Sequence, residues 1–194
     1  MPRRIVGIDP GLAGGVGVLD MGDDGTETAT LHLTPTLTVR RGRRVRREHD
    51  VAAMRDLLAD VTGAGEAGGV EVVLEEQQAM PARLRGRTQG VASSFRTGLG
   101  FGLWLGLVTA ARVRCTLVRP VTWKQAVGLR GADKRASRLR CGALFPTLAP
   151  IAARDEGPAE ALLIAWAASR PRPAENTGPA GAAAKAPATA EGGC

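Results

Sequence analysis

The sequence predicts an α/β domain built on a five-stranded mixed sheet flanked by helices. Two observations lead to this fold class. Residues 3–9, 15–20 and 27–33 are short strand-like segments separated by Gly-containing turns, which is typical of an antiparallel meander. Two later strand patterns, at 70–75 and 114–118, alternate with helical patterns, which favours βαβ units attached to that meander.

Helices are expected wherever apolar residues recur at helical spacing between recognisable start and stop signals. Asp50 and Asp133 suit N-cap positions, and Pro158 suits the first turn of a last helix. The expected helical segments are 51–62, a Gly-rich region at 89–112, a short helix near 122–127, 134–144 and 159–168.

The expected domain covers residues 1–170, followed by a disordered tail over 171–194. In that tail 16 of 24 residues are Ala, Gly or Pro, so it has almost nothing to bury. Residues 34–48 interrupt the strand pattern, because six arginines fall within the eight residues 40–47 before any carboxylate occurs. That run is expected either to grip a polyanion or to form a flexible basic loop with non-specific attraction.

The composition favours a polyanionic partner, and nucleic acid is the first candidate. The net charge is +7 and the pI is about 10.5, although a merely soluble basic protein would look the same. Three cysteines are too few and too scattered for a disulfide framework. No signal or transit peptide is expected, and no apolar run is expected to reach the length of a membrane span.

Four carboxylates lie where strands and a helix start can converge. Asp9 ends the first strand, Glu75 ends the later Val-rich strand, and Asp155 and Glu160 flank the start of the last helix. Hydrolysis of a phosphodiester requires a strong nucleophile and neutralised charge, which two divalent ions can supply. Mg²⁺ takes oxygen ligands, so these acids are candidate metal ligands.

Purely structural explanations also exist for these acids. Asp9 precedes Pro-Gly and suits a turn. Glu75 is adjacent to Glu76, and only one of the two can point inward. Asp155 suits an N-terminal helix cap.

The last helix leaves two further alternatives open. Glu160 suits a first-turn acid that complements the helix dipole. Glu156 and Glu160 are four residues apart, so they form a rival pair to Asp155 and Glu160.

Six motifs cover much of the predicted domain. They are IVGIDPGLAGGVGV at 5–18, VVLEEQQAMP at 72–81, QGVASSFRTGLGFGLWLGLV at 89–108, VTWKQAVGL at 121–129, GADKRASRLRCGALFP at 131–146 and DEGPAEALLIA at 155–165. Together these motifs resemble the RuvC-type Holliday junction resolvases. The resemblance is greatest to the branch of bacteriophage RuvC-like proteins and the monokaryotic-chloroplast resolvase of plastids.

This resemblance implies a ribonuclease-H-like fold and a metal-dependent, structure-selective endonuclease. Such an enzyme resolves four-way DNA junctions as a homodimer by paired symmetric nicks that leave 5′-phosphate and 3′-hydroxyl ends. It implies two Mg²⁺ ions per active site, with Mn²⁺ as a substitute, and no small-molecule cofactor or membrane. It implies a bacterial or phage-infected cytoplasm, or a chloroplast for the plastid branch. The implied metal ligands are Asp9, Glu75, Asp155 and Glu160, and the implied catalytic lysines are Lys124 and Lys134.

Two departures from the family pattern concern the last helix. Asp155 and Glu160 are spaced as in the phage and plastid branch, wider than in bacterial RuvC. Glu156 stands where that branch often has a histidine.

The residues expected to contact DNA are basic side chains near these motifs, since each cation that meets a phosphate releases a counterion. The apolar, Gly-rich segment at 89–112 is expected to approach either DNA or a partner helix closely. The expected DNA-binding residues are Arg40, Arg41, Arg43, Arg44, Arg83, Arg85, Arg87, Arg96, Lys124, Lys134, Arg135 and Arg138.

Two other function classes fit parts of the sequence. An actin-like ATPase or sugar kinase also opens with an Asp and a Gly-rich hairpin, but it needs two such domains around its nucleotide. A junction-binding module without catalysis would share the basic surface, although the presence of all four acids speaks against it.

Overall fold

The computed structural model describes residues 3–63, 69–77 and 90–170. The predicted disordered tail and the basic loop 79–88 therefore lie outside the described residues. The elements are β1 (Arg3–Asp9), β2 (Gly15–Met21), β3 (Glu27–Leu33), β4 (Thr36–Arg41), β5 (Arg44–His49), α1 (Val51–Thr62), β6 (Val70–Glu75), α2 (Val91–Ala110), β7 (Arg114–Val118), α3 (Pro120–Ala126), α4 (Lys134–Leu144), α5 (Ala149–Ala152) and α6 (Glu156–Ser169), with a 3₁₀ turn at Pro146–Leu148.

The central sheet has five strands in the order β3-β2-β1-β6-β7. β1 and β2 pair antiparallel, as do β2 and β3, and together they form the predicted meander. β6 lies parallel to β1, and β7 lies parallel to β6. The predicted fold class, a mixed five-stranded sheet flanked by helices, is confirmed.

One face of the sheet is covered by α6, whose backbone lies directly on two glycines. Gly7 and Gly17 are paired across β1 and β2, and a Cβ atom at either would overlap backbone atoms of α6. Side chains alternate between faces along a strand, so Ile5, Gly7 and Asp9 all point toward α6. Every residue of α6 from Gly157 to Ala165 is buried. Glycine is needed here because any side chain would lift the helix off the sheet.

The opposite face of the sheet is covered by α1 and α2. Met54 and Leu58 of α1 and Trp104 and Val108 of α2 are fully or almost fully buried there. They pack against the apolar side chains of β1, β2 and β6, including Val6. The Asp50 side chain accepts a hydrogen bond from the Ala53 amide at 3.1 Å, which confirms the predicted N-cap of α1.

The basic run at 34–48 is organised more than the sequence suggested. Residues 36–49 form a separate antiparallel hairpin of β4 and β5, with Gly42 at a positive φ of 62° in its turn. We call β4 and β5 with this turn the basic hairpin. Both alternatives predicted for this run, a segment that grips a polyanion and a flexible basic loop, lacked strands. The strand pattern was missed because Val39 and Val45 are the few apolar residues among many arginines.

Three further helical features differ from the expectation. Pro146–Leu148 and α5 were not predicted as helical, and α6 begins at Glu156 rather than at residue 159. The expectation that no apolar run reaches the length of a membrane span is wrong for α2. This helix has 20 mostly apolar residues, so by length and composition alone it could cross a membrane.

The fold itself argues against such a span, since α2 connects two strands of the same sheet. Its Trp104 and Val108 are fully buried against that sheet. Removing α2 into a bilayer would expose this core, so we treat it as a helix of the α/β domain.

The contact between α6 and the sheet predicts that Gly17→Ala destabilises the fold by about 1–3 kcal/mol, because the new methyl overlaps helix backbone. The melting temperature should fall by about 2–4 °C per kcal/mol, as measured by thermal unfolding. Gly90→Ala, just before α2, is the matched control. A Cβ at Gly90 would meet nothing within 4 Å, and its φ of −67° is one that alanine adopts. Equal melting temperatures for both variants would contradict this packing.

Candidate active site

Asp9 ends β1 on the face that α6 covers. Its Oδ1 accepts a hydrogen bond from the Gly11 amide at 3.1 Å, which fixes the carboxylate over the following turn. Burial above all, then the negative charge of Glu75, raises the pKa of Asp9 from 3.8 to about 7. Glu160 adds to this rise, whereas the Gly11 hydrogen bond and the positive charge of Lys124 oppose it. The ionised form of Asp9 is therefore disfavoured in this place, and a nearby cation would stabilise it.

Glu75 occupies the equivalent position on the neighbouring parallel strand. The register pairs Ile8 with Leu74, so the next residues, Asp9 and Glu75, lie side by side at the ends of β1 and β6. Glu75 is 5% exposed, and burial raises its pKa. Its Oε1 accepts a hydrogen bond from Trp123 Nε1 at 2.9 Å, and its Oε2 accepts one from Gln77 Nε2 at 2.8 Å.

The alternative of a Glu76 that points inward is ruled out. Glu76 turns outward and forms an ion pair with Arg119, with 3.3 Å between Oε2 and Nε. Glu75 is the buried member of the two acids.

Glu160 enters the same region from α6. It is 9% exposed, and its Oε1 accepts a hydrogen bond from Ser137 Oγ of α4 at 2.8 Å. Lys124 Nζ of α3 lies 3.0 Å from the same oxygen. The Lys124 ammonium also lies 5.0 Å from the centre of the Trp123 ring, whose indole holds Glu75.

Asp9, Glu75 and Glu160 therefore converge, since each of the first two carboxyl pKa values is shifted by Glu160. The parallel ends of β1 and β6 supply two of the acids, and α6 supplies the third. Lys124 is the cation that acts on both strand acids.

Asp155 lies at the start of α6, close to the turn that follows Asp9. The bridge between Gly14 and Gly157 holds this end of the helix against the β1–β2 turn. Asp155 occupies the N-cap position with extended backbone, but its side chain makes no capping hydrogen bond. Within the described residues its carboxylate forms no hydrogen bond or ion pair, so its role as a metal ligand stays a prediction. Glu156 is the first residue of α6.

The fit of this cluster to divalent ions rests on its donor chemistry. All donors are carboxylate oxygens, which Mg²⁺ and Mn²⁺ accept. Burial, and after it the negative charge of Glu75, raises the pKa of Asp9, so a bound cation would favour its ionised form. Within the described residues, no three acidic, His or Cys side chains are close enough to chelate an ion as they stand. Glu160 Oε1 is already held by Ser137 and Lys124, so that oxygen must exchange a partner before it binds a metal.

Some basic side chains of the predicted DNA-binding set are exposed, and the others are half-buried or only partly described. Arg43 and Arg44 of the basic hairpin are exposed and form no ion pair with any described residue. Thr34 N donates to Gly14 O at 3.1 Å and ties the root of this hairpin to the turn after Asp9. The exposed members of the predicted DNA-binding set are Arg40, Arg43, Arg44, Arg96 and Arg135.

The remaining members are only partly described. Arg138 is half-buried and donates to Ala153 O at 3.1 Å. Arg41 ends β4 and Lys134 begins α4, but their side chains lie outside the description. Arg83, Arg85 and Arg87 lie outside the described residues altogether, so their predicted contact with DNA stays a prediction.

The sequence prediction missed the side chains that orient the acids. Trp123 lies in the core, and its indole N–H also donates a hydrogen bond to Glu75. Ser137 and Gln77 carried no signal, because a hydroxyl or an amide has no distinctive spacing. Trp123 stands next to Lys124 in the VTWKQ motif, which is the one signal that could have placed it at the site.

Comparisons with known proteins bear on the fold. No protein-family model matches the sequence, and no curated protein matches it. Among solved structures, Thermus thermophilus RuvC is 24% identical, with 86% of this chain and 93% of that chain covered and a TM-score of 0.55. T. thermophilus RuvC in complex with Holliday junction substrate is 18% identical, with 86% and 92% covered and a TM-score of 0.52. This chain therefore shares the fold of T. thermophilus RuvC over 86% of its length.

Proposed function

We propose that this protein is a metal-dependent endonuclease that resolves four-way DNA junctions by paired nicks. The observation that carries the proposal is the convergence of Asp9, Glu75 and Glu160 beside Lys124. Support also comes from the shared fold, because one of the similar structures is a RuvC bound to Holliday junction substrate. Membership of the phage and plastid branch stays a prediction.

The residues would divide the chemistry as follows. Asp9, Glu75, Glu160 and, from the start of α6, Asp155 would hold two divalent ions. When bound, such ions supply Lewis acidity and an activated water for attack on phosphorus. Trp123 and Ser137 hold Glu75 and Glu160 in fixed rotamers, which limits reorganisation during the reaction. Lys124, and Lys134 by its resemblance, would stabilise negative charge on the phosphate.

The basic hairpin would contact the phosphates of the junction arms. The register places Arg40 opposite Val45 and Val39 opposite Arg46, so arginines project from both faces of the hairpin. The tie between its root and Gly14 keeps the hairpin beside the turn that follows Asp9. DNA held by these arginines would therefore run toward the acids.

A second copy of the chain would pack on the outer face of α2. Val91 and Phe95 on this face are 88% and 69% exposed. Gly98, Gly102 and Gly106 follow at intervals of four, and a Cβ at each would meet nothing within 4 Å. This combination suits close helix–helix approach, and a two-fold dimer would present two active sites to a junction in which two strands are cut.

Asp9→Asn is the direct test of the proposed chemistry. Cleavage of a synthetic mobile junction in Mg²⁺ should fall by at least about 10³-fold, or about 4 kcal/mol of transition-state stabilisation. Junction binding should persist, because the change removes no cation from the DNA surface. Denaturing gels and a filter-binding assay give the two readouts.

Asp56→Asn is the matched control, since Asp56 is an exposed acid on α1 that pairs with Arg55. It should cleave at the wild-type rate. Cleavage by the Asp9→Asn variant at the wild-type rate would contradict the assignment of Asp9 as a metal ligand. ATP turnover by the wild type without cutting would favour the actin-like class instead.

The basic hairpin predicts a change in salt dependence. Replacing Arg43 and Arg44 with Gln should lower junction affinity and reduce the slope of log K against log [salt] by about 1–2, since each lost phosphate contact removes about one released counterion. Arg55→Gln on α1 removes a cation that is already paired with Asp56 and should leave the slope unchanged. Identical slopes for the hairpin variant and the wild type would remove the hairpin from the DNA interface.

A further inference from the structure

Lys124 occupies a place in the acid cluster that its proposed role at the phosphate does not explain. Its Nζ is 3.0 Å from Glu160 Oε1, so the ammonium binds an acid rather than facing solvent alone. The same ammonium lowers the pKa of both Asp9 and Glu75, whereas the negative charge of Glu160 raises both. It is thus the counter-charge shared by all three acids.

The oxygen that Lys124 contacts is also the oxygen that Ser137 Oγ contacts, at 2.8 Å. Glu160 Oε1 therefore has two donors, and Glu160 Oε2 accepts no hydrogen bond from the described residues. A divalent ion shared by Asp9, Glu75 and Glu160 would bring a second positive charge into the same few ångströms. The ammonium and such an ion repel each other, so they compete for Glu160.

Lys124 and Glu160 differ in how readily each side chain can move out of this contact. The Lys124 side chain is 36% exposed, whereas that of Glu160 is 12% exposed. Lys124 has a flexible stem and can swing its ammonium into water, while Glu160 is held by Ser137 and by a buried helix. Any exchange of partners at this oxygen must therefore move the lysine.

We propose that Lys124 is an internal counter-ion that competes with the divalent ion for Glu160 and, once displaced, is released toward the phosphate. This inference rests on the proposed function and adds an order of events to it. Before loading, Lys124 partly offsets the negative charge of the buried acids. After loading, the ammonium is free for the DNA, so metal binding and phosphate recognition are coupled through one side chain.

The first test measures Mn²⁺ binding to the full-length protein by the loss of the free-ion EPR signal, without DNA. Lys124→Met removes the competing charge and keeps the length of the side chain. Mn²⁺ affinity should rise about tenfold, which corresponds to 1.4 kcal/mol. Junction cleavage by the same variant should fall, so affinity and activity move in opposite directions.

Arg119→Met is the matched control. Arg119 lies one residue before α3 and pairs with Glu76 rather than with Glu160, so its removal takes away the same unit charge outside the cluster. Its Mn²⁺ affinity should change less than about twofold. Unchanged or weaker binding by the Lys124 variant, or an equal rise in both variants, would overturn the proposal.

A second measurement uses the wild-type protein, so it does not depend on whether a variant folds. The chain has only three lysines, Lys124, Lys134 and Lys185, which makes reductive methylation followed by mass spectrometry easy to assign. Mg²⁺ should increase the methylation rate of Lys124 relative to Lys185. An unchanged or decreased rate would refute displacement, even if Mg²⁺-dependent cleavage is observed and the proposed function stands.

Discussion

The structure depends on one electrostatic constraint, which is that three carboxylates share a largely buried region. Like charges in a poorly hydrated place resist ionisation, and the rise in the pKa of Asp9 to about 7 is the result. Because the folded-state pKa is raised above the usual 3.8, the ionised cluster lowers the stability of the fold as the pH rises from about 4 toward 7. Lys124, Trp123 and Ser137 partly offset this, and divalent ions would offset it further.

The rest of the fold holds those charges together. Gly7 and Gly17 let α6 lie on the sheet at backbone contact, which brings Glu160 down to the level of the strand ends. The parallel pairing of β1 with β6 aligns Asp9 with Glu75. A loosely packed α6 would leave Glu160 too far away to share a cation with them. The close packing of α6 on the sheet is therefore also what brings the acids of the site together.

Local signals in the sequence were sufficient for most of the fold. The first three strands, the caps at Asp50 and Asp133 and the Val-rich strand that ends in Glu75 all follow from short-range patterns. The basic hairpin did not, because strand alternation is weak where nearly every residue is arginine. The early start of α6 was missed because Pro158 was taken to mark its first turn.

The acids of the site were also accessible to sequence reasoning, but their partners were not. Trp123 reaches Glu75 across 48 residues of chain, and Ser137 reaches Glu160 across 23. Such pairs depend on how α3 and α4 pack, which no local pattern encodes. For the same reason, the contact between Lys124 and Glu160 emerged only from the folded chain, although both residues were singled out beforehand.

The central claim is that Asp9, Glu75 and Glu160 form one cation site. Anomalous diffraction from crystals of this protein soaked in Mn²⁺ locates bound ions without reference to activity. The account predicts an anomalous peak within about 2.0–2.4 Å of oxygens from at least two of these three carboxylates, as expected for an octahedral hard cation. A well-diffracting soaked crystal with Mn²⁺ bound elsewhere and no peak among these acids would contradict it.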